Sequence, residues 1–470
     1  MITHRWARRG VGALVLFGAT ACNPDRLLEV QDVDVATPQS VTTPSALPAV
    51  LNGTISDLQV ALGAGSENGV ITMGALLGDE FMWAETFPTR FEVDYRTIDP
   101  TNGTLTGFYS TLQRARASAD RAATLYAAGD PTAVGRAEVL ALSGFAHIYL
   151  GEQYCNGVPV STFDVLTQQE TYGAPQTNAQ LFEIAVAKFD SALQIIGSPA
   201  TPTANQVRVR NLAQVGRGRA LLDLGRFADA AAAVSAVPTD YRYVLSFSEN
   251  STRQNNPVFQ VTNVFARFST GGTQVREGGN GLPYREDGAT DPRVFLYRGT
   301  GALAVGADGS TPMWIQAKYP SRSAPVLLAS GIEARLIEAE NLQRTGGGYV
   351  GVLNTLRANL PSLLLTAPPV TLNPPALAPL PALTAPATAA EQVDQLFKER
   401  AYWFFLDGHR LGDMRRLIRQ YGRGSETVFP TGGHQKGGTY GPDVNFPVPF
   451  NETNNPEFAK SGGQCLDRNA

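Results

Sequence analysis

Residues 211–237 constrain the fold of this chain more than any other stretch. Their sequence, NLAQVGRGRALLDLGRFADAAAAVSAV, predicts two helices joined by a tight corner. Apolar side chains recur at helical spacing before the corner and again after it, at Leu212, Val215, Ala220 and Leu224 and then at Ala228, Ala231, Ala232 and Val234. Gly225 is placed to end the first helix, because a residue without a Cβ adopts a left-handed cap at no steric cost. The segment is therefore predicted to be a helix pair.

The corner of this helix pair matches the tetratricopeptide (TPR) pattern. Leu224, Gly225 and Phe227 are followed by Asp229 and Ala230, and alanines stand where the two helices must approach closely. One such pair cannot bury its own apolar face and needs stacked neighbours. We expect a mainly α protein, a TPR-like scaffold of about four helix pairs within a single domain over residues 49–470. The pairs are expected at about residues 134–196, 211–237, 327–360 and 391–421.

Other segments differ from this pattern. Further helices are expected over 46–63, 69–83 and 104–129, with a loop rich in aromatic residues after the second. Residues 241–320 alternate short apolar runs with Gly- and Asn-rich pieces, which is typical of irregular structure with short strands. Strands are expected there over 258–264, 293–298 and 312–318. Residues 361–386 hold eight prolines and predict an extended surface excursion.

The N-terminus has the features of an export signal. Arginines precede a short apolar run at residues 11–17, which is far below the ~20 residues that span a bilayer. Small residues lead directly to Cys22, as in a bacterial lipobox, although the usual Leu three places earlier is Ala19. This resemblance implies a lipoprotein signal peptide over 1–21, a lipidated Cys22 and a tether over 22–48. A plain secreted protein with a chance cysteine is the alternative.

Two cysteines remain in the mature chain, Cys155 and Cys465. An exported chain meets an oxidising compartment, so the even pair favours a disulfide. In the chain-entropy model so long a loop would contribute roughly 4–5 kcal/mol. A metal site is the rival interpretation, which is disfavoured because His147, His409 and His434 stand at no ligand spacing. We therefore predict no metal and no cofactor.

Charge and motifs argue against nucleic-acid binding and catalysis. The formal net charge is −4, there is no basic patch with interleaved aromatics, and no nucleic-acid partner is predicted. There is no phosphate loop and no G-x-S-x-G motif. A glycosidase needs two convergent carboxylates, and Asp79 with Glu80, or Glu338 with Glu340, could be proposed. Because any acidic chain offers such pairs, we predict that the protein is not an enzyme.

The order of several short motifs resembles the SusD/RagB family of outer-membrane nutrient-binding lipoproteins. Residues 399–416, ERAYWFFLDGHRLGDMRR, resemble the C-terminal signature of that family. Other matches along the chain are Arg136-Ala137-Glu138, Tyr149-Leu150, Gly157-Val158-Pro159, Phe446-Pro447-Val448-Pro449 and Asn454-Asn455-Pro456. Within residues 399–416 we expect ion pairs between two helices, formed by Glu399, Arg400, Asp407, Arg410, Asp413 and Arg415. A catalytic His409 is the minor alternative.

This resemblance implies a lipid-anchored protein of the cell outer membrane, with a loop-rich ligand-binding surface on a TPR-like scaffold. Family members cover a SusC-like TonB-dependent transporter and pass it glycans or peptides, and the same partners are implied here. The low charge of the candidate loops favours a neutral sugar, although a peptide stays open. The alternative is an exported TPR scaffold that binds only proteins.

Sugar binding in this family uses aromatic faces together with polar side chains, so the loop aromatics are the candidates. The first group is Trp83, Phe87, Arg90, Phe91 and Tyr95. The second group, from the insert, is Tyr284, Arg285, Tyr297, Arg298, Trp314 and Tyr319. Our hypothesis is that the two groups converge on one shallow site. The alternative is that Trp83 and Trp314 only cap the core, and Trp403 is left out because it lies on a core helix.

Overall fold

The computed structural model describes residues 38–63, 67–272 and 281–470. The predicted signal peptide, the predicted lipidation site at Cys22 and most of the tether lie outside the described residues. Among the residues that are described, no helix is both long and apolar enough to cross a bilayer.

Helices dominate the described chain. In chain order, the α-helices are α1 (Pro38–Val41), α2 (Leu47–Leu62), α3 (Val70–Leu77), α4 (Pro88–Asp94), α5 (Gly103–Gly129), α6 (Val134–Gln153), α7 (Asn178–Ile196), α8 (Ala204–Asp223), α9 (Phe227–Val234), α10 (Pro257–Phe259), α11 (Tyr284–Asp287), α12 (Gly331–Arg344), α13 (Tyr349–Ala358), α14 (Leu360–Leu363), α15 (Ala389–Trp403), α16 (Arg410–Tyr421), α17 (Ser425–Val428) and α18 (Pro456–Lys460).

The strands are short and pair antiparallel in two-stranded sheets. They are β1 (Phe81–Trp83), β2 (Val158–Pro159), β3 (Thr162–Asp164), β4 (Gln169–Thr171), β5 (Pro175–Gln176), β6 (Arg242–Leu245), β7 (Phe268–Thr270), β8 (Leu296–Arg298), β9 (Trp314–Gln316) and β10 (Val326–Ser330). The pairs are β1 with β7, β2 with β5, β3 with β4, β6 with β10 and β8 with β9.

The helix pairs stack side by side, and the prediction of a mainly α, TPR-like scaffold is confirmed. The pairs are α6 with α7, α8 with α9, α12 with α13, and α15 with α16. Helix α7 packs on α8, α9 packs on α12, and α12 also contacts α15. Glycine allows α7 and α8 to approach each other closely. A Cβ added to Gly216 of α8 would lie 2.3 Å from the ring of Phe189 on α7. Capping boxes begin α7 at Thr177 and α8 at Thr203.

Four local assignments from the sequence were wrong in detail. The helix expected from residue 327 begins at Gly331, because residues 326–330 form β10 and pair with β6. The helix expected over 69–83 ends at Leu77, and β1 follows it. Residues 257–264 form α10 and a π-helical turn instead of a strand. Part of the aromatic loop is the short helix α4. In the first three cases tertiary pairing or packing overrides a short apolar run that fits either period. In the fourth, Pro88 stands at the first turn, where its fixed φ favours a helix start.

The charged residues of 399–416 are buried, but most pair outside the two helices. Arg400 pairs with Asp413 at 2.8 Å, which is the expected link between α15 and α16. Arg410 instead pairs with Asp79 at 2.7 Å. Arg415 Nη1 donates to backbone carbonyls at the end of α6, and among the described residues this arginine forms no ion pair. The expectation of ion pairs confined to two helices was therefore largely wrong, since α16 packs against α3 and α6.

His409 is part of the same buried set. Its Nδ1 lies 2.7 Å from Asp407, its Nε2 lies 3.3 Å from Glu333, and its ring stacks on Phe404 at 4.1 Å. Burial and Arg219 oppose the charged form, but Asp407 and Glu333 prevail and raise the pKa of His409 to about 9. Both ring nitrogens and one ring face of His409 are therefore occupied by structural contacts.

The C-terminal tail returns to the end of α6. A disulfide joins Cys155 and Cys465, whose Cα atoms lie 6.0 Å apart. Asn156 reinforces this contact by donating from Nδ2 to Asp467 at 3.0 Å. The proline-rich excursion also lies against the scaffold, because Leu380 and Leu383 pack on the core of α12, α13 and α15.

Candidate ligand-binding cleft

A cleft of about 790 Å³ opens where three distant segments of the chain meet. The first segment starts at the end of β1, the second lies in the insert, and the third lies in the C-terminal loops. The lining residues are Trp83, Glu85, Thr86, Pro88 and Phe91 from the first segment, Asp308, Ser310, Thr311 and Pro312 from the second, and Gln435 and Lys436 from the third.

The first wall is held by the pairing of β1 with β7, in which Trp83 stands opposite Phe268. Their rings meet edge to face at 5.2 Å. The backbone N–H of Trp83 donates to Asp94 Oδ2 at 3.0 Å. Pro88 begins α4, where a first-turn proline is tolerated, and α4 carries Phe91 towards the cleft. The long-range pairing of β1 with β7 and the local helix α4 together orient this aromatic side.

The second wall is a tight turn of the insert. Asp308 Oδ1 accepts hydrogen bonds from the backbone N–H groups of Ser310 and Thr311, both at 2.8 Å. The backbone N–H of Asp308 donates in turn to the carbonyl of Ala84 at 3.1 Å. The turn is thereby joined directly to the chain that follows β1.

The third wall is the loop around Gln435. Tyr95 packs against His434, with ring centroids 4.1 Å apart. His434 Nδ1 accepts the N–H of Lys436 at 3.1 Å, which leaves the proton on Nε2, and Nε2 donates to Asp94 at 3.0 Å. Asp94 therefore holds the first and third walls together through one carboxylate.

Two acidic side chains border the cleft. Burial opposes ionisation of Asp308, but hydrogen bonds from Lys436, Thr311 and Ser310 lower its pKa below the usual value. Burial raises the pKa of Glu85, against the opposing effect of Arg90 and Lys436. Both carboxylates are tied to neighbouring groups rather than left free.

The structure brings together only part of the predicted set. Trp83 and Phe91 line the cleft, although Trp83 is fully buried. Arg90 lies behind the first wall, where it pairs with Glu67 at 2.7 Å. Tyr95 lies behind the third wall, stacked on His434. The two predicted regions thus meet, but through different insert residues from those chosen.

The candidates from the insert do not line the cleft. Tyr297 accepts a hydrogen bond from Asn263 at 2.9 Å, and Arg298 donates to the carbonyls of Ala304 and Met313. Trp314 is half-buried beside Arg285, whose guanidinium lies 5.7 Å from the ring. Tyr284 and Tyr319 are buried in the main core.

The insert turn and the C-terminal loop were not predicted from the sequence to form part of the site. Their polar side chains have no periodicity, and such residues are common in loops that bind nothing. Asp308 followed by Ser310 and Thr311 is a signal for a side-chain-capped turn, and Gly437 and Gly438, both at positive φ, mark the third wall. Those signals identify turns but do not show that the turns meet.

The carboxylate pairs considered for catalysis have structural partners. Asp79 receives both Nε and Nη2 of Arg410 at 2.7 Å. Glu80 accepts the backbone N–H of Leu406 at 2.7 Å. Glu340 receives Arg416 at 2.6 Å, and Glu338 pairs with Arg335 on its own helix. None of these four carboxylates lines the cleft.

Comparison with known proteins identifies the fold of this chain. No family model and no curated protein matches the sequence. Among solved structures, a SusD superfamily protein from Bacteroides vulgatus aligns with a TM-score of 0.59 and 15% identity, over 88% of this chain and 97% of that chain. The fold is that of SusD.

Further structures with the SusD fold agree. A SusD/RagB family protein from Bacteroides thetaiotaomicron aligns with a TM-score of 0.63 and 14% identity, covering 88% of this chain and 96% of that chain. Surface glycan-binding protein A from Bacteroides uniformis aligns with a TM-score of 0.60 and 14% identity, covering 88% and 98%. Because these alignments cover 88% of this chain, the similarity in fold extends well beyond the four helix pairs.

Proposed function

We propose that the protein is a non-catalytic, lipid-anchored binding protein of the cell surface, which captures an oligosaccharide and delivers it to a SusC-like TonB-dependent transporter. The observation that carries the proposal is the cleft of about 790 Å³ in a SusD fold, with Trp83 and Phe91 among hydroxyl and amide side chains. Similar structures include one named a SusD-like carbohydrate-binding protein and one named a surface glycan-binding protein.

The lining of the cleft suits a sugar. The faces of a sugar ring carry apolar C–H groups that pack on aromatic and proline rings, and Phe91, Pro88 and Pro312 offer such surfaces. Hydroxyl groups need donors and acceptors around the same space. Ser310, Thr311 and Gln435 supply both kinds.

Binding is tested by replacing cleft residues that are at least partly exposed, half-buried Phe91 and exposed Gln435. The double variant Phe91→Ala, Gln435→Ala should lower glycan affinity by about tenfold or more, because it removes an apolar face and a hydrogen-bonding amide. A glycan array identifies ligands for the mature chain without its lipid, and calorimetry measures affinity. Tyr172→Ala, at an aromatic side chain that is 47% exposed and outside the cleft, is the matched control. Unchanged affinity in a folded double variant would contradict the site.

Anchoring and delivery have their own test. Cys22→Ala should move the protein from the outer-membrane fraction to the soluble fraction, because the acylated residue is lost. A tagged wild-type protein, solubilised in mild detergent, should co-purify with a TonB-dependent barrel. Persistent membrane attachment of the Cys22→Ala protein would contradict the lipid anchor, and purification without a barrel would contradict delivery.

A further inference from the structure

One ammonium group connects opposite walls of the cleft. Lys436 Nζ donates to the backbone carbonyl of Glu85 at 2.7 Å and lies 2.8 Å from Asp308 Oδ2. The lysine belongs to the third wall, Glu85 to the first and Asp308 to the second. A single side chain therefore contacts all three segments.

The other cations near this wall are paired as well. Arg90 pairs with Glu67 at 2.7 Å and with Glu85 at 3.5 Å. Arg267 pairs with Glu85 at 3.1 Å and also contacts Glu67. Of the described residues that line the cleft, Lys436 is the one with a positive charge, and Asp308 pairs with it.

We infer that the cleft selects uncharged oligosaccharides, and that the Lys436–Asp308 pair determines this selectivity because Asp308 neutralises the cation. The inference rests on the proposed function and names the class of its ligand. The side chain of Asp308 is 5% exposed and that of Lys436 is 20% exposed, so the pair is shielded from water.

An acidic sugar would meet an unfavourable environment here. Its carboxylate or sulfate would have to displace Asp308 from Lys436 while lying close to the Asp308 and Glu85 carboxylates. Like charges at such distances repel, and a shielded site screens that repulsion poorly. A neutral sugar only needs hydroxyl partners, so it can bind while the pair stays intact.

The geometry of Asp308 allows a selective substitution. Its Oδ1 holds the turn through two backbone N–H groups, whereas its Oδ2 faces Lys436 and the Thr311 hydroxyl. Asp308→Asn keeps the Oδ1 acceptor and replaces Oδ2 with an amide NH₂ group, which can donate to the Thr311 oxygen. The turn is therefore retained, while Lys436 keeps its hydrogen bond to the Glu85 carbonyl and loses its counter-ion.

The experiment compares ligand charge preference in the wild type and in Asp308→Asn, using the mature chain without its lipid. The probe is a glycan array of neutral, carboxylated and sulfated oligosaccharides, followed by calorimetry on the strongest neutral ligand and on its closest acidic counterpart. The wild type should prefer neutral members. Asp308→Asn should bind the acidic counterpart about tenfold more tightly, as expected for one new charge-assisted hydrogen bond.

The matched control is Asp287→Asn. Asp287 lies in the insert and also pairs with a lysine, Lys398 of α15, at 2.8 Å. It does not line the cleft. It should leave charge preference unchanged. A third variant, Lys436→Met, removes both the cation and its contacts between the walls. It should not gain acidic ligands, and it therefore distinguishes an effect of the unpaired charge from an effect of wall spacing.

The outcomes separate the two proposals. A wild type that binds nothing on the array would overturn the proposed function and this inference with it. A wild type that binds acidic members more tightly than neutral ones would overturn only the selectivity. Equal charge preference in wild type and folded Asp308→Asn would also overturn the selectivity, and a gain of acidic ligands in Lys436→Met would show that wall spacing, not charge, decides.

Discussion

At the scale of single residues, Trp83 and Phe91 show how neighbours in one segment take different roles. The side chain of Trp83 is fully buried against Phe268, so it belongs to the core even though it lines the cleft. Phe91 is half-buried and contacts Tyr95 at 4.3 Å. Removing Trp83 tests stability, whereas removing Phe91 tests binding.

Trp83→Ala should lower the free energy of unfolding by about 3–5 kcal/mol, because it leaves a large cavity in a packed core. Denaturant unfolding measures the change. Trp83→Phe should be much milder because it retains the aromatic contact, and Phe91→Ala should cost less because that side chain is partly exposed. An unaffected Trp83→Ala protein would show that the indole is not part of the core.

Glu80 predicts a pH dependence of stability. Burial raises its pKa to about 8, in spite of the hydrogen bond from Leu406 and the charge of Arg410. The ordinary value is 4.5, so between about pH 4.5 and 8 the folded chain holds a proton that the unfolded chain has released. Stability contributed by this group therefore falls as pH rises through that window.

Glu80→Gln should flatten this pH profile. The amide keeps an oxygen for the Leu406 N–H and carries no charge, so the variant should lose less stability than the wild type between pH 5 and pH 8. Denaturant unfolding at several pH values measures the difference. Glu170→Gln, at an exposed glutamate, should reproduce the wild-type profile. Parallel profiles for wild type and Glu80→Gln would contradict the raised pKa.

At the scale of elements, buried ion pairs join helices that are far apart in the chain. Arg416 on α16 contacts Glu340 on α12 at 2.6 Å and Asp413 on its own helix at 2.9 Å. Arg293 of the insert and Arg357 of α13 both contact Glu399 on α15. These contacts fix the last helix pair against the third, and they attach the insert to the scaffold.

Arg416→Met should destabilise the protein by about 3–5 kcal/mol, because it leaves buried Glu340 without its closest cation. Thermal and denaturant unfolding measure the loss. The matched control is Arg423→Met, whose partner Asp394 is 64% exposed, so that the pair should contribute less than about 1 kcal/mol. Equal losses in the two variants would contradict a special role for burial.

At the scale of the whole molecule, the C-terminal tail closes the chain onto its first helix pair. The disulfide between Cys155 and Cys465 spans 310 residues, and Asn156 binds Asp467 beside it. The third wall of the cleft, at Gln435 and Lys436, precedes Cys465 in the chain. Because the disulfide holds two residues 310 positions apart together, it limits how far the unfolded chain can expand.

Cys155→Ala, Cys465→Ala should lower the free energy of unfolding by about 2–5 kcal/mol, since the cross-link no longer restricts the unfolded chain. Denaturant unfolding measures this loss, and limited proteolysis reports on the tail. Wild-type protein treated with a reductant should reproduce the variant. An unchanged stability in both would show that the noncovalent tail contacts are sufficient.

The sequence by itself determined the helix pairs and the loop-rich insert. A repeating apolar stripe reports which face of one helix is buried, and caps such as Thr177 report where it begins, so both are local properties. Only the tertiary structure decided where the cleft lies. Phe91, Asp308 and Lys436 come from segments separated by more than a hundred residues, and no periodicity relates them. They meet because the packing of many helices sets the direction of each loop, and that packing is a property of the whole chain.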